Sequence, residues 1–327
     1  MDEVKPASEI ASEGASAPYA GQSTPFLASQ SAASPTQPAQ TIFVGPHGIR
    51  TPWRFLLYVV IAAAIFLALV VFTRALFSHH HLPSILIGLI TEFDLLVAAT
   101  GSALVMARIE KRPFGAYGLP RAGAFGKMFW IGSLWGFAAI SLLILSLRGA
   151  GVFSFGSLAL HGTRVFKFAL FWGVFFLLVG LFEEFFIRGY TQFTLARGMG
   201  FWPAAFLMSL IFGAIHLGNP GEAWIGGLAA GLIGLFFCLT LYRTGALWFA
   251  VGFHTAWDWG ESYFYSVADS GGISPGHLLN SSFHGSRWLT GGSVGPEGSL
   301  LVFAIIALVW IAFSRLYPKV DYVNERE

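Results

Sequence analysis

Glu183 and Glu184 lie side by side in an apolar stretch running from Phe166 to Ile187, with Arg188 one turn beyond Glu184. Later apolar stretches carry two more polar intrusions, His216 and the pair His254 and Asp258. Ionisable groups at membrane depth are costly; they face a protein interior or a water-filled cavity and mark function. Helical spacing sorts them. Glu184 and Arg188 stand at i, i+4 and can pair, which lets an arginine stay at depth. Glu183 then points about 100° away and is free for another task. His254 and Asp258 also stand at i, i+4 on one face, and Phe212, one turn before His216, can wall a cavity. A carboxylate in partly apolar surroundings suits the work of a general base. Glu183 with His216 is therefore expected to hold and deprotonate one water. His254 and Asp258 are expected to orient that water or stabilise a developing oxyanion.

The elements that must position these groups are membrane helices. The chain has 327 residues, 55% hydrophobic and only 11% charged, against about 25% in soluble domains. Several apolar runs reach the ~20 residues that cross a bilayer, and they are continuous rather than alternating, which excludes a β-barrel. The predicted class is an all-α polytopic integral membrane protein of about eight transmembrane helices, near 53–77, 84–107, 126–147, 165–197, 201–217, 222–242, 245–267 and 299–317. The fourth, at about 50 Å by 1.5 Å per residue, is too long for a simple span and is expected to tilt or emerge from the hydrocarbon. Residues 1–48, rich in Ser, Ala, Pro, Gln and Thr, read as a disordered cytoplasmic tail and not as a signal peptide. Residues 49–327 form the membrane domain. A Gly/Ser-rich connection over 268–298 is long enough to be functional or disordered.

Orientation follows from the basic residues. With the tail cytoplasmic, 14 of the 19 Lys and Arg fall on the cytoplasmic side, so both termini are placed there. Depth then becomes a test. Counted from the cytoplasmic turns, Glu183 lies about 21 Å in, His216 about 22 Å, and His254 and Asp258 roughly 16 and 22 Å. Four polar residues from three helices thus share one layer.

Three sequences carry a resemblance. Glu183-Glu184-Phe185-Phe186-Ile187-Arg188 matches EExxxR, Phe212-Gly213-Ala214-Ile215-His216 matches FxxxH, and His254-Thr255-Ala256-Trp257-Asp258 matches HxxxN or HxxxD. In this order, on separate helices over about 165–260, they resemble the CPBP intramembrane proteases: the type II CAAX prenyl endopeptidases and the bacteriocin-processing (Abi) proteins. The resemblance implies a CAAX-type membrane endopeptidase in which Glu183 activates water with help from His216. His254 and residue 258 would complete the site and support the oxyanion, and Glu184 and Arg188 would structure the fourth helix. Asp258 departs from the Asn of the prenyl endopeptidases, and an ionised Asp cannot donate to an oxyanion. Two His with carboxylates suit a divalent metal such as Zn²⁺; a metal-free glutamate mechanism suits them equally, and no residue is assigned to a metal. The implied substrates are peptides or membrane proteins, in a bacterial inner membrane where prenylated proteins are not expected. Leader processing, self-immunity and membrane-protein turnover are the candidate processes. No nucleic acid is expected.

Blander readings stand beside these. A structural ion pair at a helix end accounts for Glu184 with Arg188 but leaves Glu183 without a partner, and an ordinary helix pair is the alternative for His254 with Asp258. Phe212, Cys238 and the tryptophans 248, 257 and 259 read first as packing. Glu92 and Asp94 read as a structural polar contact, His79, His80 and His81 as a solvated loop end. Glu222, His277, His284 and Glu297 receive no role. Two GxSxG matches, at 272–276 and 291–295, lack the strand-turn-helix setting of a nucleophile elbow. Buried acids and histidines also serve proton-coupled transporters, and a catalytically silent scaffold is a third reading.

Overall fold

The computed structural model describes residues 42–45, 48–79, 81–221 and 223–322, so most of the expected 1–48 tail, His80 and Glu222 lie outside the described residues. The helices are α1 (Thr51–Leu76), α2 (Ser84–Glu110), α3 (Lys127–Gly149), α4 (Thr163–Glu184), α5 (Thr191–Met199), α6 (Phe201–His216), α7 (Trp224–Thr244), α8 (Trp248–Asp258), a short α9 (Arg287–Thr290) and α10 (Leu301–Leu316). Strands are minor. β1 (Val44–Gly45) pairs with β2 (Gly48–Ile49), and β3 (Phe153–Ser154) with β4 (Ser282–Phe283), both antiparallel. The first pair falls at the end of the stretch expected to lack structure. The Trp53 indole N–H donates to Ile42 O at 2.9 Å and the ring stacks on Phe43, giving those residues the apolar anchor that the preceding composition lacks.

The class is all-α and polytopic. Among the described residues, α1, α2, α3, the run Thr163–Met199 and α7 are long and apolar enough to cross a bilayer. The other expected spans are helical but shorter: α6 and α10 have 16 residues each, and α8 has 11 before it continues into a π-helical turn over Trp259–Phe264. Large apolar side chains stay exposed on the outer faces, such as Leu67, Phe72, Phe166 and Leu170. A contiguous apolar exterior of this kind fits lipid rather than water.

The long fourth helix is not a single rod. α4 passes through a π-helical turn, Phe185–Tyr190, before α5, and Gly189 leaves helical geometry there (φ −83°, ψ −119°). A Cβ at Gly189 would stand 2.7 Å from the Phe185 ring, so a side chain at this position would drive the turn open. Thr191 closes the gap by donating its hydroxyl to Ile187 O at 2.8 Å. Such turns recur at functional sites because they re-aim the side chains beside them, and this one lies between Glu184 and the rest of the helix.

What fixes α8 is its seam with α3. A Cβ at Gly132 or at Gly136 would fall 2.1 Å from the carbonyl oxygens of Phe249 and Phe253 respectively, and one at Gly252 would fall 2.0 Å from Phe129 O. The backbones touch because these positions carry no side chain, as in small-xxx-small helix pairs within membranes. On the other flank, Gly180 of α4 faces Thr255 Oγ1 and Val251 O of α8. α8 is thus clamped between α3 and α4 at the level of His254. Gly136→Leu is expected to split this seam and lower the melting temperature in detergent by about 6–12 °C, taking ~3 kcal/mol of lost packing at ~2–4 °C per kcal/mol. Leu134→Ala, at a position 67% exposed on the same helix, is expected to change it little. Equal melting of the two variants would refute the clamp.

Candidate active site

Glu183 and Glu184 end α4, His216 ends α6, and His254 and Asp258 occupy the second half of α8. Glu184 is fully buried. Its Oε1 accepts from Arg188 Nη1 at 3.1 Å and from His254 Nδ1 at 2.9 Å. The guanidinium of Arg188, also fully buried, lies 4.1 Å from the centre of the Phe212 ring and 5.8 Å from that of Phe237. Gly234 makes room for it, since a Cβ there would stand 2.2 Å from Arg188 Nη2. An arginine at depth is thus held by one carboxylate and two aromatic faces.

His254 has its two ring nitrogens committed to different partners. With Nδ1 donating to Glu184, Nε2 points toward Glu183 Oε2 (3.8 Å) and Asp258 Oδ2 (3.5 Å). The ring stacks on Phe237. His216 Nδ1 lies 2.8 Å from Phe212 O; as a donor there it leaves Nε2 as an acceptor. Its ring packs on the Phe212 side chain, 4.4 Å centre to centre.

One cavity of about 370 Å³ brings these groups together: Glu183, His216, His254, Asp258 and Phe212 all line it. Glu184 and Arg188 stand behind it and do not. Its other walls differ in character. Trp172, Phe175, Phe176 and Val179 of α4 supply an apolar side, and Ser262, Asp269, Ser270 and Glu297 an acidic side with few other polar groups. The connection over 268–298 supplies three of those four. It is tied down by the Trp172 indole, which donates to Pro275 O at 3.1 Å, and by the β3–β4 pair.

Glu297, to which the sequence analysis gave no role, therefore lines the chamber, and so does Asp269. Helical periodicity cannot reach residues on a loop. A signal was nonetheless present: Asp269 and Glu297 are the only acids between residues 268 and 298. The role of Glu184 also extends beyond its own helix, to His254, 70 residues away. Trp257 is both wall and donor, its Nε1–H reaching Glu297 Oε1 at 3.1 Å. Trp248 and Trp259 are packing residues whose indoles donate to Pro120 O and Ala169 O. Asp94 accepts from Thr73 Oγ1 at 3.4 Å, and Cys238 is buried beside Gln192 and Ser209. His277 turns back onto Ser274 O.

A zinc ion held by His216 and His254 finds no matching set of donors. Among the described residues, the one group of His, Cys, Asp or Glu whose ligand atoms lie within 4.8 Å of one another is Asp258, Asp269 and Glu297, which contains no imidazole. Asp269, on the connection, is held far above the usual carboxylate range, at about 8, first by burial and then by the charge of Glu297.

Residues 165–260 match the family model of the type II CAAX prenyl endopeptidases, Rce1-like. This is the segment that carries all three motifs, and over it the chain is similar to the CAAX-type membrane proteases. No curated protein and no solved structure gives a match to the chain.

Two outcomes follow from the charges. Arg188→Met leaves Glu184 buried with one cation fewer and is expected to cost about 3–5 kcal/mol, of which Glu184→Gln in the same chain should restore a part; equilibrium unfolding in detergent measures both. Asp269 holds its proton in the folded chain between about pH 4 and pH 8, whereas the unfolded chain has released it. Stability in chelator is therefore expected to fall as pH rises through that window and level off above pH 8. Asp269→Asn should flatten the fall, and a wild-type melting temperature independent of pH would contradict the assignment.

Proposed function

We propose that the chain is an intramembrane endopeptidase in which Glu183 activates the hydrolytic water. The observation that carries this reading is the convergence of Glu183, His216, His254 and Asp258, from three helices, on one cavity walled on its other side by aromatic residues. The cavity volume, about 370 Å³, suits a short extended stretch of peptide.

The chemistry follows from the partners already taken. Glu184 does not serve as base in this reading, because its side chain is fully buried behind the cavity wall: Oε1 is held by Arg188 and His254, and the partnerless Oε2 is sealed from solvent as well. Glu183 lines the chamber, its side chain is 28% exposed, and its Oε2 has no hydrogen-bond partner. A water between Glu183 and His216 Nε2 would lose one proton to the carboxylate as its oxygen attacks the scissile carbonyl. The tetrahedral oxyanion that forms needs a donor. His254, locked by Glu184 at Nδ1, presents Nε2 to it, and as imidazolium it supplies an N–H at that point. Asp258 cannot fill this role while ionised. We assign it to aligning His254 from one turn away. The proton on Glu183 then passes to the leaving amine.

The surrounding placement belongs to the same reading. The charge asymmetry of Lys and Arg favours cytoplasmic termini, with the 268–298 connection covering the chamber from the opposite side, in a bacterial inner membrane. About eight crossings and an Abi-type leader-processing role fit this topology.

Glu183→Gln keeps the shape and removes the base. Comparing protein termini in membranes carrying wild type or Glu183→Gln is expected to reveal new termini that depend on Glu183. With the purified chain and one such substrate, the rate should drop at least 10²–10⁴-fold without loss of folding. Undiminished cleavage by Glu183→Gln would remove the assigned base. Proton-driven solute uptake into liposomes, abolished by the same substitution, would favour a transporter instead.

A further inference from the structure

Behind the reacting groups lies a concentration of acid that the reaction does not use. Asp258 ends α8, Asp269 follows in the connection, and Glu297 sits in the one-turn helix Pro296–Gly298. Their carboxylate oxygens lie within 4.8 Å of one another. The donors around them are few: Ser262 Oγ on Asp269 Oδ2 (3.0 Å), Ser270 Oγ on Glu297 Oε2 (3.2 Å) and Trp257 Nε1 on Glu297 Oε1 (3.1 Å). Among the described residues, the basic group in ion-pair range is His254, 3.5 Å from Asp258.

A fourth carboxyl makes this more than an acidic cluster. Glu261, three residues beyond Asp258 in the π-helical turn, is fully buried, and neither of its oxygens has a hydrogen-bond partner. Its oxygens lie outside that 4.8 Å group but border it: Oε1 stands 3.3 Å from where a Cβ on Gly295 would be, two residues from Glu297, and the acidic charges acting on it most are those of Glu297, Asp269 and Asp258. The Trp257 indole beside it is already spent on Glu297. Burying a carboxylate without a partner costs several kcal/mol, so such a group is met by a proton or a cation.

We infer that Asp258, Glu261, Asp269 and Glu297 bind a Ca²⁺ ion that ties the 268–298 connection to the end of α8. The donor set is all oxygen and rich in carboxylate, which selects a hard cation over Zn²⁺, whose sites favour nitrogen and sulfur. The acids come from separate segments of turn and loop. Six to eight ligands at 2.3–2.6 Å with tolerant geometry suit that arrangement better than the strict octahedron of Mg²⁺. The site is independent of whether the chain is a protease, because its occupant is read without any reaction. If the proposed hydrolysis is also correct, Ca²⁺ would fix Asp258 beneath His254.

The test uses the purified full-length chain in detergent, stripped with chelator. Ca²⁺ at about 5 mM is expected to raise the melting temperature by about 5 °C. Tb³⁺, which takes Ca²⁺ sites, should show luminescence sensitised by Trp257, and Ca²⁺ should quench it by displacement. Asp269→Asn with Glu297→Gln, and separately Glu261→Gln, should abolish both responses. In chelator these variants should melt no lower than wild type, since each removes repulsion between acids; this separates lost binding from lost folding. A wild-type chain unmoved by Ca²⁺ would overturn the proposal, as would variants that respond like wild type, or stabilisation by Zn²⁺ or Mg²⁺ alone. So would stabilisation by acid with no response to Ca²⁺ above pH 8, where Asp269 is ionised. Failure of Glu183→Gln to affect cleavage would leave these results untouched.

Discussion

A single carboxylate oxygen, Oε1 of Glu184, carries the arrangement. It accepts from Arg188 along its own helix and from His254 across to α8, at 3.1 and 2.9 Å. All three side chains are buried or nearly so, in a region where water cannot compensate a missing partner. Removing any one leaves a charge or a ring nitrogen unmet. The same oxygen therefore joins α4 to α8, holds an arginine at depth and selects which nitrogen of His254 faces the cavity. Glu183 is left free to face the cavity because its neighbour absorbs the structural demand. The π-helical turn begins directly after Glu184 and contains Arg188, and the vacant side of Gly234 gives the guanidinium its space.

How much of this is legible in the sequence depends on whether a residue's partner lies on its own helix. The pairs at i, i+4, Glu184 with Arg188 and His254 with Asp258, can be read from spacing because the α-helix dictates them. The shared depth of Glu183, His216, His254 and Asp258 can be read by counting rise from the turns, and all four line one cavity. The contact from His254 to Glu184 cannot be read so, since it depends on the rotation of α8 about its axis. That rotation is set by Gly132, Gly136 and Gly252, residues that look featureless until the backbones they bring together are seen. The 37-residue run Thr163–Met199 is visible as too long, but the π-helical turn that resolves it leaves no periodic mark. Asp269 and Glu297 are hidden for a third reason: a Gly/Ser-rich connection offers no period, and only the scarcity of other acids there singles them out.

The chamber's two walls have different physical duties. The aromatic wall of α4 offers an apolar surface, which in the proposed hydrolysis would take up a peptide and keep bulk water from the bond under attack. The acidic wall can exist only because the connection closes over it. Without Trp172 anchoring Pro275 and β4 pairing with β3, Asp269 and Glu297 would sit in solvent and exert little force. Folding the connection down thus concentrates charge beside α8, and the pairing of β3 with β4 is one of the contacts that make it possible.

Asp258 stands where these duties meet. An asparagine in its place could donate to an oxyanion and would bring no charge to the connection. An aspartate gives up the donation and contributes an anion, and the structure surrounds it with features that only an anion exploits. His254 Nε2 lies one turn above it at 3.5 Å; Asp269 and Glu297 lie within ligand distance of a common point; Glu261 is left with both oxygens unmet. The Asp of the third motif and the acids of the connection make sense as a set. A carboxyl at residue 258 completes the proposed oxygen cage, which an amide would leave short of charge, and in the proposed hydrolysis oxyanion support would fall to His254. The departure from the asparagine version and the unexplained acids behind it are then two sides of one arrangement, in which α8 is held at its end by the loop that covers it.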